Sequence, residues 1–256
     1  MTGRMKTLGF LLTSLLFAGC ALVPPYRAHS NLEARAKGIR TVVLLPPRAE
    51  VFQLDTGGTS EKIDEWSAHA NENIAAAIQT ELQGRVGLLL KLLPEDSMRE
   101  EAKSNLEETH ALFDAVNTSI ILHTYSPPSP PESIFEEKIK DFDYSLGSEV
   151  KDLRIGEADS LILVRGVDHI WTEGRKALQV FGVILGIGAG VGTGAVVIPV
   201  LGGGTTLNLA LIDPHNGSIL WYKPIAKGGG YDFRDPASVN SLVKELFKDF
   251  PIGKEK

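Results

Sequence analysis

The chain has 256 residues, 43% of them hydrophobic and 23% charged, with 26 basic against 32 acidic side chains for a formal net charge of −6. That length and apolar content suit one domain with a real core. An acidic balance without a basic stripe excludes an electrostatic nucleic-acid binder, and a single cysteine, Cys20, excludes a disulfide framework.

At the amino terminus Arg4 and Lys6 precede the apolar run Leu8 to Ala18. The run is too short to span a bilayer and ends in small residues, as a secretory signal does. Leu16-Phe17-Ala18-Gly19-Cys20 resembles a bacterial lipobox, with Phe17 where Leu is commoner. The resemblance implies that residues 1–19 are removed and that the Cys20 thiol is lipidated. An ordinary cleaved signal and an uncleaved anchor are the alternatives. Each buried acyl methylene contributes about 0.8 kcal/mol, so two or three chains make a durable anchor. Ala21, where Asp marks inner-membrane retention, implies by analogy the outer membrane. Loss of Arg4 and Lys6 leaves 24 basic against 32 acidic residues, a mature balance of −8.

Residues 20–39 contain Pro24-Pro25 and no clear period, and read as a lipid-anchored tether. A domain over residues 40–251 follows, with 252–256 as a tail. Thr41 to Leu45 is a central strand stopped by Pro46-Pro47. Val51 to Leu54 is a short strand or an extended loop, and Asp55 to Ser60 supplies a turn and a helix cap. From Glu61 the apolar positions Ile63, Trp66, Ala70, Ile74, Ala77, Ile78 and Leu82 recur at three and four residues, which predicts an amphipathic helix to about Gly84. Leu88 to Leu93 is a strand interrupted by Lys91, so one of its faces is expected to be wet.

Pro94-Glu95-Asp96 opens the next helix, because proline tolerates a first helical position and carboxylates suit the positive end. Its apolar stripe holds Leu106, Leu112, Phe113, Val116 and Ile120, and Ser119 to His123 reads as its end, with a strand as the alternative. Ser126-Pro-Pro-Ser-Pro-Pro131 is an extended surface connector. Ser148 to Arg154 is a short helix, and Ser160 to Val167 a buried strand. Thr206 to Ile212 and Ser218 to Tyr222 are strands joined by the turn Asp213-Pro-His-Asn-Gly217. Asp235-Pro-Ala-Ser-Val-Asn opens a closing helix with Leu242, Val243, Leu246, Phe247 and Phe250 on one face, ended by Pro251.

Between those strands, residues 178–204 carry nine glycines and no charge. On a helix, Gly182, Gly186, Gly190 and Gly194 form a ridge of small residues that permits close membrane or oligomer contact. On a strand, the alternation from Gly186 to Gly194 leaves one face bare. A spanning or re-entrant helix, a hairpin given to an oligomeric barrel, and a helix and loop buried on the domain's own sheet all remain open.

Patterns that suggest chemistry are incomplete. Gly190-Val-Gly192-Thr-Gly194-Ala195 fits a loose dinucleotide pattern, but no strand leads into it and no helix follows, so no cofactor is assigned. Asp55-Thr56-Gly57 copies the aspartic-protease triplet without the second carboxylate that chemistry needs. Asp168, His169 and Glu173 are a candidate metal set, more simply read as a polar strand end. No catalytic constellation and no small-molecule substrate emerge.

At Val43-Leu-Leu-Pro-Pro47, Asp159 to Gly166, Gly174-Arg-Lys-Ala-Leu178 and Leu209 to Trp221, the chain resembles a group of uncharacterised proteobacterial outer-membrane lipoproteins. These are similar in turn to curli-secretion-channel (CsgG-type) and TolB amino-terminal domains. The resemblance implies an α/β fold: a mixed sheet with packed helices, a closing β-hairpin and helix, and the glycine-rich run as an insertion. It also implies a non-enzymatic role in envelope transport or assembly, with a protein partner or homo-oligomer. In curli channels the membrane hairpins carry alternating polar residues, and residues 178–204 have almost none.

Overall fold

The computed structural model describes residues 25–55, 59–93, 98–125, 130–153, 155–172 and 204–255. Its strands are β1 (Arg27–Ala28), β2 (Thr41–Leu44), β3 (Arg48–Leu54), β4 (Ser60–Lys62), β5 (Arg85–Val86), β6 (Leu89–Leu92), β7 (Ser160–Trp171), β8 (Gly204–Ile212), β9 (Ile219–Gly228) and β10 (Lys254–Glu255). Its helices are α1 (Leu32–Ala36), α2 (Asp64–Gln83), α3 (Glu100–Thr124), α4 (Glu136–Lys140) and α5 (Pro236–Phe247), with short 3-10 turns at Pro131–Ser133 and Ser148–Leu153. The fold is α/β, a mixed sheet with helices on both faces and a closing strand and helix.

Strand β7 is the spine of the sheet, whose order is β1-β9-β8-β7-β2-β6. One side of β7 pairs antiparallel with β8, from Leu161↔Ile212 to His169↔Gly204. Its other side takes two parallel strands end to end, β2 on Ser160 to Ile162 and β3 on Arg165 to Trp171. Pro46 and Pro47 lie between them and have no N–H to give to a ladder. Proline therefore interrupts the pairing, as expected, but the chain rejoins the same sheet at Arg48, so 51–54 is the end of a seven-residue strand.

Alternation divides the core between the two faces. Ile162 and Val164 join Ala70, Ile74 and Ile78 of α2 and Leu242, Val243 and Leu246 of α5. Leu161 and Leu163 join Leu106, Phe113 and Ile120 of α3. Full burial of one such aliphatic side chain contributes roughly 1.5–3 kcal/mol, so each layer is held chiefly by these stripes. Asp235 caps α5 by accepting from Ala237 N at 3.2 Å and Ser238 N at 3.0 Å, with Pro236 in its first turn. At the other end buried Arg85 donates to Phe247 O, the last carbonyl of α5, at 2.7 Å and to Ile252 O and Gly253 O beyond it at 3.2 Å, tying the chain after the helix back onto its end. In the β8–β9 turn Gly217 has φ +70, and a Cβ there would lie 2.1 Å from Gly147 O, so only glycine fits.

Several expected boundaries move. Helix α2 starts at Asp64, because Ser60–Lys62 pairs with Phe52–Leu54 as a hairpin instead of capping the helix. Helix α3 starts at Glu100, past the proline expected to open it, and is helical through residues 119–123. Strands β7 and β9 run on to Trp171 and Gly228. The tether is shorter than its composition suggests, since Arg27 and Ala28 pair with Tyr222 and Trp221. Arg27 is buried, donating to Thr124 O and lying 4.2 Å over the Tyr125 ring. The expected tail also docks, Lys254 and Glu255 pairing with Val86 and Arg85. Among the described residues no helix is long and apolar enough to cross a membrane.

Candidate functional site

Cys20, Gly182, Gly186, Gly190 and Gly194 lie outside the described residues. Asp55 closes β3 and accepts from Thr59 N at 2.8 Å, while Thr56 and Gly57 lie outside. Asp168 and His169 are neighbours on β7, so the strand sends them to opposite faces. Buried Asp168 accepts from Thr205 Oγ1 at 2.8 Å and Phe233 N at 2.9 Å, and burial pushes its pKa up despite those bonds. His169 stacks on Phe52 at 5.2 Å between ring centroids, and burial pushes its pKa down. The two cannot share an ion, and Glu173 lies outside. Among the described residues no group of three metal-ligating side chains comes together.

What the fold does build is two unlike edges. The outer side of β3 is covered by β4 only from Phe52 to Leu54. Upstream, the outward N–H groups of Ala49 and Val51 donate to Asn71 Oδ1 at 2.6 Å and Ser67 Oγ at 3.0 Å, both on α2. Val51 O accepts from Ile63 N at 2.9 Å. Helix α2 thus stands in for a neighbouring strand.

Over that seal lies an open groove lined by Arg48, Glu50, Lys62, Asp114 and Arg165. Arg165 pairs with Glu50, reaches Asp114 Oδ1 at 3.1 Å, and donates to Arg48 O at 3.2 Å. Lys62 lies 3.6 Å from Glu50, and Arg48 pairs with Glu107. The Arg165 guanidinium holds the Glu50 carboxyl below its ordinary value. Nearby His110 is buried, and desolvation, reinforced by Arg48, pushes its pKa down to about 4. These charges neutralise one another, and the Ser67 hydroxyl is committed to Ile63 O at 2.9 Å. Among the described residues the groove is an ion-pair network in which each of these charges meets an opposite one.

Strand β6 is the opposite case. It pairs in parallel with β2, Thr41↔Leu89 to Leu44↔Leu92, and no strand lies beyond it among the described residues. Leu89 N donates inward to Arg40 O at 2.7 Å and Leu93 N to Leu44 O at 3.2 Å, which turns the N–H groups of Leu90 and Leu92 outward. Leu89 is 56% and Leu92 46% exposed, and Val86, just before them on β5, is 57% exposed. These are three of the four exposed large apolar side chains among the described residues. Leu90 packs on the α2-side core and Leu93 on the α3-side cluster, so exposed Leu92 and Leu89 straddle the edge on its two faces. A row of backbone groups that meets no strand among the described residues, flanked by two exposed leucines, is the geometry that accepts an added strand. Lys91, the one charge on β6, turns back to within 3.4 Å of Glu157 O. In the sequence that lysine was the only sign of an edge; the exposure of the leucines depends on strand order.

No family model matches the chain, and no curated protein matches it. Among solved structures it is similar to the PelC dodecamer from Paraburkholderia phytofirmans in space group P6, at 9% identity over 84% of this chain and 89% of that chain, with a TM-score of 0.29. A PelC point variant from the same organism, also a dodecamer, in space group C2, is 10% identical over 84% of this chain and 90% of that one, with a TM-score of 0.31. Likeness at this level assigns neither fold nor function.

Proposed function

We propose that this protein is a lipid-anchored, periplasm-facing module of the bacterial outer membrane that binds an envelope protein or further copies of itself, without catalysis. The observation that carries the reading is the β6 edge, where Leu89 and Leu92 flank outward backbone groups that find no partner among the described residues. An edge of that kind gains both hydrogen bonds and apolar burial when a strand is added. The lipobox ending at Cys20 supplies the anchor in this reading. The test uses the full lipidated chain, extracted in mild detergent after crosslinking in cells. The wild type is expected to run as a complex, and Leu89→Lys with Leu92→Lys to release it as a folded single chain. A wild type that is monomeric and without a crosslinked partner contradicts the proposal.

A second reading, a CsgG-type oligomeric secretion-channel component with residues 178–204 in the bilayer, is favoured by one feature. Strands β7 and β8 stay paired up to His169↔Gly204, so the described residues on either side of 173–203 belong to neighbouring antiparallel strands. Retention of a Cys20→Ser protein with a cleavable signal in carbonate-washed membranes, with uniform rings and bilayer conductance, supports that reading. A soluble mutant without conductance removes it.

A further inference from the structure

We infer that the domain stands end-on at the membrane, with the sheet end formed by Leu54, Trp171, Gly204 and Gly228 resting on the lipid headgroups. The inference rests on the lipidation of Cys20 proposed above, and adds which surface meets the bilayer. It begins from strand direction. β1 runs antiparallel to β9, with Arg27 opposite Tyr222 and Ala28 opposite Trp221. Strand β1 therefore begins on the side of β9 that leads to Gly228, with its preceding residues Pro25 and Tyr26 on that side. Because β8 is antiparallel to β9 and β7 to β8, that end also holds Gly204 and the close of β7. Parallel β3 finishes there too, Leu54 opposite Trp171.

Length then limits the choices. Cys20 and Arg27 are seven residues apart, at most about 25 Å of fully extended chain. From Tyr222 to the end of β9 at Gly228 is six residues, about 20 Å of strand. Even fully extended, the stretch from Cys20 to Arg27 exceeds the distance to the sheet end by only about 5 Å, so a lipid on Cys20 would hold the domain against the surface. Two surfaces fit that reach, the sheet end and the β1 edge. The sheet end is preferred because Thr172 and Gly204, which bound the stretch containing the uncharged residues 178–204, are also there. Tyr231, three residues past Gly228, is half-buried against the α2-side core, as is Trp66, whose ring lies 4.2 Å under the Arg234 guanidinium, and amphipathic aromatics favour the headgroup region. The turn at Asp213 to Gly217 is at the opposite end, about 30 Å away along β9.

The experiment uses the full lipidated chain in vesicles of phosphatidylethanolamine and phosphatidylglycerol, with Cys20 acylated and one added thiol carrying a fluorophore. Three exposed positions are compared: Ala226→Cys near the proposed membrane end, His215→Cys at the far turn, and Ser30→Cys beside β1 at the far end. With nitroxide-headgroup lipid, the Ala226 probe is expected to lose most of its fluorescence while the other two keep theirs. Quenching at Ser30 equal to that at Ala226 overturns the end-on orientation in favour of the β1 edge, and quenching strongest at His215 reverses it. No quenching in a chain that floats with the vesicles also overturns it. Mass spectrometry of the amino-terminal peptide separates these from a different failure: absence of acyl mass on Cys20 refutes the anchor, and the orientation with it.

Discussion

The outer edges of β3 and β6 face the same physical demand and meet it in opposite ways. Both strands turn backbone N–H groups away from the sheet, where an unpaired group invites another chain. On β3, Asn71 and Ser67 accept the N–H groups of Ala49 and Val51, and ion pairs around Arg165 cover the seal. On β6, Leu89 and Leu92 stand exposed on either side of an outward row that finds no strand among the described residues. A polar side chain that satisfies its own sheet removes the incentive for a new strand. An exposed leucine does the reverse, since covering it stabilises the covered state. The contrast locates the interaction surface more sharply than either edge alone.

The largest effect is expected from opening the sealed edge. Ser67→Ala combined with Asn71→Ala leaves the Ala49 and Val51 N–H groups unpaired, at roughly 1–3 kcal/mol each. Urea denaturation measures the loss; unchanged stability would show that the side chains do not seal the edge. Next in size is Arg165→Met, which leaves Glu50 only Lys62 at 3.6 Å and takes the Arg165 charge from Asp114, in a partly buried setting where solvent screens part of the penalty, and about 1–3 kcal/mol is expected. Because Glu50 has its folded pKa depressed, its contribution is present above the ordinary value of 4.5 and is lost as pH falls through the acid range. The difference between wild type and Arg165→Met should therefore shrink in acid.

His110 gives a smaller and distinct signature. Its folded pKa is depressed from 6.5 to about 4, so the unfolded chain binds the proton first and stability falls as pH drops between those values. In His110→Gln the slope of melting temperature across that window should flatten, and a slope unchanged from wild type would contradict it. Smallest in stability is the open edge. Leu89→Lys and Leu92→Lys should each shift folding by no more than about 0.5 kcal/mol, while the complex recovered after crosslinking is lost. A large drop in stability would mean that these leucines belong to the core.

The contrast also marks how far the sequence was legible. The β8–β9 turn and helix α5 were readable, because Asp213 to Gly217 and the Asp235-Pro236 cap act within a few residues. The second half of β3 was not, because Pro46-Pro47 reads as a stop and resumption depends on β7, with Arg165 bonding Arg48 O across 117 residues. Strand β1 was hidden for the same reason: two residues in a proline-containing stretch find Tyr222 and Trp221 only in the folded sheet. Asp168 and His169 read as one polar cluster until strand alternation divided them. The run Leu89 to Leu92 was recognised as a strand, but whether a strand is central or at the edge is a property of sheet order, and Lys91 was its only local cue.

The most direct measurement places a photoreactive residue at Leu92 on the open edge, or at exposed Ala68 beside the sealed one, in cells making the full chain. A defined high-mass adduct from Leu92 and none from Ala68 is the expected result. Equal adducts from both positions, or none from Leu92, would contradict the assignment of β6 as the protein-binding edge.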